Sequence, residues 1–213
     1  MYPSSVDHQR RVPDAPMRDA LAAELIAMAD EDQRVRAELL AEGVLFDGYR
    51  PRMAEVHHRN AMRLAAIMTG IGWPGRSVVG REAADAAWLV LQHAIGDPPV
   101  MRRGLELLRA LPAGEVDPIQ LAMLEDRVRT FSGLPQIYGT QFDWDERGEM
   151  RPRPIEDEAH VDERRAAIGL PPLADKLREI RDALARDGGT MPADAAARRR
   201  EIDAWERSVG WRD

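Results

Sequence analysis

A mainly α-helical fold is predicted, a single-domain helical bundle of about seven or eight helices with one small β-hairpin. Three observations predict it. Apolar residues recur at helical spacing through most of the chain. The helix-breaking residues, Gly and Pro, cluster between those periodic runs. One stretch alone, QIYGTQFDWD followed by ERGE and MRPRPI, alternates like two strands about a turn.

A chain of 213 residues, 44% hydrophobic and 31% charged, can bury a sizeable core. Its lack of cysteine excludes disulfides, thiolate metal sites and thiol nucleophiles. A formal charge of −7 argues against unspecific binding to nucleic acid or anionic membranes. No apolar run approaches the roughly 20 residues of a membrane span. The opening MYPSSVDHQRRVPDAP lacks the apolar core of a signal peptide. The expectation is a cytoplasmic protein with no nucleic-acid or membrane partner.

Residues 1–16 hold three prolines and almost no apolar periodicity, and read as a flexible arm. A first helix is expected over about Met17–Glu42, with Leu21, Leu25, Met28, Val35 and Leu39 as its stripe and Gly43 as its stop. Asp32, four residues before Arg36, reads there as one half of a surface pair. The second helix, about Arg52–Thr69, carries Asn60 on its apolar stripe, where a buried amide needs partners. GWPG at 72–75 turns the chain, and Trp73 suits a core edge or a ligand. Arg81–Asp97 is apolar nearly all round and reads as a central helix, with Gln92 and His93 as its polar exceptions apart from Asp85. A fourth helix follows at about Val100–Leu111 and a fifth at about Pro118–Thr130. Asp126 and Arg127 lie near the carboxyl end of the fifth, where the aspartate opposes the helix dipole.

The hairpin is expected over about Gln136–Ile155, with Pro152 and Pro154 keeping its second strand at an edge. Gln136, Tyr138 and Thr140 would share one face and Gln141 the other. Gly139 would leave a gap for another backbone or a ligand. A sixth helix with Arg164 and Arg165, a seventh closed by Asp187-Gly188-Gly189, and a last helix over about Pro192–Val209 complete the chain. The expected division is an arm at 1–16, a helical domain at 17–187 and a helical appendage at 188–213. That appendage, with Trp205 beside Arg198-Arg199-Arg200, could dock on the domain, pair with a copy of itself in a homo-oligomer, or bind a partner.

The chain resembles a widespread bacterial family known as a domain of unknown function. The resemblance rests on Asp32-Gln33, Asn60, GWP at 72–74, VG at 79–80, QHA at 92–94, DRV at 126–128 and QIYGTQ at 136–141. It continues through Pro154-Ile155, Asp162, Arg164-Arg165 and Gly169-Leu170, covers about residues 20–180, and leaves the last helix outside. It implies no activity. It implies that the polar hallmark residues, drawn from several helices and one hairpin, form a shared pocket.

The expected site follows. His93 is the general acid or base, because an imidazole exchanges protons near neutrality. Asp126 orients it, and Tyr138 donates a proton or holds a carbonyl. Asn60, Gln92, Gln136, Thr140 and Gln141 bind the substrate, while Arg127 and Arg165 take an anionic substituent. The reaction class is hydrolysis or elimination on a small polar metabolite, without a cofactor. A metal reading from Glu55 and His58, at the i, i+3 spacing of di-iron bundles, finds only a weak echo in Asp157 and His160, so no metal is expected. The alternative is a non-catalytic ligand-binding or protein-interaction module.

Overall fold

The computed structural model describes residues 14–45, 48–145, 147–187 and 194–213. Residues 1–13 of the expected arm and Gly188-Gly189 lie outside them. The described residues hold eight α-helices and one two-stranded sheet, the mainly helical class expected. The chain divides into two compact units, Met1–Val116 and Asp117–Asp213. The division falls between the fourth and fifth helices, inside the stretch read as one domain at 17–187.

In the first unit, α1 (Ala15–Ala41) starts where the Asp14 carboxylate accepts from the Met17 amide and Pro16 occupies the first turn. α2 (Pro51–Ile71) runs antiparallel to it. The ion pairs Glu24–Arg63, Glu31–Arg59 and Glu38–Arg52 pair rising numbers with falling ones. All three are exposed and screened by solvent, so they set register more than stability. Beneath them, Leu25 and Leu64 are fully buried, and Val35 and Leu39 pack with Met53 and Val56.

α3 (Arg76–His93) begins five residues before the expected Arg81. Gly80, at φ 82°, breaks it into a short first turn and the long apolar run. That run buries Ala83, Ala84, Ala87, Val90 and Leu91 and packs on α1, α2 and α4, as a central helix should. Trp73 is buried before it, a core residue. In α4 (Pro98–Arg109), Gly104 faces Leu91 so closely that a Cβ would stand 2.6 Å from Leu91 Cδ1.

In the second unit, α5 (Pro118–Phe131) is capped by the Asp117 carboxylate, which accepts from the Ile119 amide. The hairpin is shorter than expected. β1 (Phe142–Trp144) pairs antiparallel with β2 (Met150–Pro152), and Gln136 and Ile155 form only an isolated bridge. Residues 137–141 do not extend, because three of their amides turn toward a single carboxylate. Amides of an extended strand alternate in direction and could not do so.

α6 (Val161–Ala167), preceded by a 3-10 turn, α7 (Leu173–Asp187) and α8 (Ala195–Ser208) complete the unit. The segment expected to be an appendage is built into it. Trp205 meets Phe131 edge-on and Trp211 stacks on it. Arg198 and Arg199 both hold Asp143 on β1. Arg212 donates to the carbonyls of Thr130 and Phe131 and pairs with buried Glu206.

Candidate functional site

A cluster of ionisable side chains in the first unit centres on Asp32. Along α1 the residues Leu25, Met28, Asp32, Val35 and Leu39 recur at intervals of three and four. The aspartate therefore sits on the apolar stripe itself and is 1% exposed. The surface pair expected with Arg36 is thus corrected: Arg36 faces solvent, and Asp32 faces two histidines. His93 Nδ1, at the end of α3, lies 2.9 Å from both carboxylate oxygens. His57 Nε2, on α2, lies 3.0 Å from Oδ2. Gln33 donates from Nε2 to Oδ1 at 3.0 Å.

His57 is 8% exposed because it shares the inward face of α2 with Met53, Asn60 and Leu64. Its other nitrogen, Nδ1, is 2.8 Å from the Tyr49 hydroxyl, and the His57 and His93 rings lie 5.1 Å apart. Burial alone would raise the pKa of Asp32. The imidazole contacts of His57 and His93 outweigh it and hold the carboxyl well below the usual carboxylate range. Burial, together with the charges of Asp97 and Asp32, raises Tyr49, so its phenol stays protonated. His93 is the accessible member, with 22% of its side chain exposed.

These three groups form a potential metal-ligand set. One ligand atom each from Asp32, His57 and His93 lies within 4.8 Å of the others. Glu55 and His58, the residues of the metal reading made from sequence, are both exposed, and His58 contacts Asp97 instead.

Most of the remaining residues of the expected site hydrogen-bond within the fold. Asn60 donates to the Met28 carbonyl, which ties α2 to α1, and Gln92 is buried in α3. In the second unit Asp126 is fully buried. It accepts from the amides of Ile137, Tyr138 and Thr140 and from the Thr140 hydroxyl. The carboxylate expected to orient His93 is therefore committed to the backbone of its own unit, and the one at the His93 ring is Asp32. Gln136 closes the same turn, donating to the carbonyls of Gln141 and Arg153 and accepting from the Gln141 amide. Gln141 donates from its own amide group to the Thr140 hydroxyl.

Arg165, 1% exposed, gives its guanidinium to the carbonyls of Tyr138, Gly139 and Pro171, which leaves it poorly placed for an anionic substituent. Arg127 is half-buried, and desolvation lowers it to about 10. The gap expected at Gly139 is filled from within, by the side chains of Ile155 and Leu173. The second unit also carries a cavity of about 480 Å³ between the hairpin, the end of α5 and α8. Arg151, Arg153, Arg199 and Arg212 line it with Asp143, Asp145 and Asp203, and no residue of the expected site does.

A family of unknown function, DUF6624, matches residues 19–202, and the chain belongs to it. The match runs into α8, further than the expected limit near residue 180. No curated protein and no solved structure matches the chain.

Proposed function

We propose that this member of DUF6624 is an enzyme of proton-transfer chemistry, hydrolysis or elimination on a small polar metabolite, centred on Asp32, His57 and His93. The observation that carries the reading is the buried Asp32 carboxylate gripping Nδ1 of a partly exposed histidine. Such a carboxylate fixes the ring's orientation and favours its protonated form when charge develops. Nε2 of His93 has no hydrogen-bond partner among the described residues and is the atom left to a substrate. Asp126, Gln136, Thr140 and Arg165 support the second unit's turn, a shaping role. Tyr138 is half-buried within that turn.

The test is turnover of a panel of esters, amides, phosphomonoesters and β-hydroxy acids by the wild type and by His93→Gln. A drop of about 100-fold or more, with the melting temperature preserved, is expected from the loss of a general acid or base. Equal turnover by the two proteins removes His93 from the chemistry.

The cavity of the second unit favours a second reading, a non-catalytic binding module. Its mixture of arginines and aspartates would suit a small ligand carrying both charges. A ligand that shifts the amide resonances of Arg153 and Arg199 but is never turned over would support that reading.

A further inference from the structure

We infer that Asp32, His57 and His93 bind one divalent first-row transition-metal ion, with zinc as the first candidate. The inference deepens the proposed function, because it places an ion at the same three side chains; with the ion bound, His93 would serve as a ligand and metal-bound water would take over the proton transfer.

The donor set is the first ground. Two imidazole nitrogens and one carboxylate oxygen are the protein ligands of open zinc and non-haem iron sites, which keep a further position for water or substrate. Ligand atoms about 2.1 Å from a tetrahedral zinc stand roughly 3.4 Å apart. Here His93 Nδ1 and His57 Nε2 lie 2.9 and 3.0 Å from Asp32 oxygens, and all three ligand atoms fall within 4.8 Å. Outward shifts of a few tenths of an ångström would admit the ion.

The second ground is a nitrogen with no hydrogen bond. His57 Nε2 is buried and close to Asp32, yet its N–H direction misses the carboxylate and it has no hydrogen-bond partner. A cluster held by hydrogen bonds alone would aim that N–H at the oxygen. A ring nitrogen turned off its neighbour, inside a group of ligand atoms, suits a lone pair directed at an ion.

The surroundings are the third ground. The Tyr49 hydroxyl lies 2.8 Å from His57 Nδ1; where it accepts from Nδ1–H, Nε2 is left free as a ligand. Gln33 donates to Asp32 Oδ1 and leaves Oδ2 to face the histidines. The partial exposure of His93 gives an ion its route in.

The test uses the full chain, stripped with a chelator and dialysed. Zn²⁺ is titrated by calorimetry, and Co²⁺ by its visible absorption. One equivalent should bind, with the intense bands of four- or five-coordinate Co²⁺. Asp32→Asn, His57→Gln and His93→Gln should each weaken binding at least 100-fold, while His58→Gln on the exposed face should leave it unchanged. Circular dichroism confirms that each variant is folded. If His57→Gln fails to fold, Tyr49→Phe serves in its place and should weaken binding about 10-fold. Failure of the wild type to bind either ion, or binding undiminished in the ligand variants, overturns the inference.

The panel of the proposed function is then assayed with the chelator present and with the ion restored. Absence of binding together with turnover in chelator refutes the metal and keeps the enzyme reading. Stoichiometric binding without turnover keeps the metal and refutes the enzyme reading.

Discussion

Asp32 and Asp126 are both buried in the middle or late turns of a helix, both within 1% of full burial, and both accept several hydrogen bonds. They differ in what donates. Asp126 is held by three backbone amides and a hydroxyl, none of which titrates near neutral pH or can leave without unfolding the turn. Asp32 is held by the His93 imidazole and an amide side chain, with the His57 ring 3.0 Å away, groups that can rotate, exchange protons or take a cation. A buried carboxylate bonded to the backbone is architecture, whereas one bonded to ionisable side chains keeps a chemical repertoire. The identity of the donors separates the two, and burial does not.

Paired substitutions test that contrast most strongly. Asp126→Ala strips four donors of their acceptor at once and should destabilise the second unit by about 3–5 kcal/mol, read from denaturant unfolding. Asp32→Asn keeps the volume and one acceptor and should cost only about 1–2 kcal/mol while abolishing turnover. Comparable stability losses at the two sites would erase the distinction.

A smaller effect is expected at Gly139, which stands at φ 67° inside the turn that Asp126 organises. A Cβ there would meet Ile155 and Leu173 side chains at 3.0 Å. Gly139→Ala should lower stability by about 1–3 kcal/mol, through strain and crowding together. A neutral substitution would show the turn to be more compliant than its hydrogen bonds imply.

The smallest expected effect lies at a third buried acid, Glu206, whose partners are cations. Burial pushes its carboxyl up, and Arg212 and Arg153 offset this only in part. Between the ordinary value of 4.5 and the raised one, the folded state holds more protons than the unfolded. Stability should therefore fall as pH rises through that window, and Glu206→Gln should flatten the slope. A wild-type profile as flat as the variant's would place Arg212 ahead of burial.

The helical class, the positions of all eight helices to within a few residues and the small sheet were legible in sequence, because the apolar period is strong and Gly and Pro mark its ends. Gly80 shows the limit of that reading, since a left-handed residue lets a helical turn form ahead of the stretch that periodicity marks. The site was legible in part. His93 stood out as a polar residue on an apolar helix, and it is the exposed edge of the cluster. Asp32 was hidden by its neighbour Arg36, although its place in the series 25, 28, 32, 35, 39 was the available signal. His57 gave less: beside two other polar residues in His57-His58-Arg59, only its register with Met53, Asn60 and Leu64 marks it as inward. The YGTQ stretch drew attention through its polar composition. Such composition serves equally well to bond a substrate or to bond a turn to itself, and only the partners tell which.

Gly104 carries no polar group and belongs to neither aspartate's surroundings, yet it sets a dimension on which one of them depends. Its missing side chain lets α4 lie directly on Leu91, two residues before His93. The glycine thus works as a shim of zero thickness behind the helix that carries the histidine. Inserting even a methyl group there would press on the Leu91 side chain and, where that does not give way, on the helix end that carries His93. A mutation with no chemistry of its own would then detune the cluster from behind.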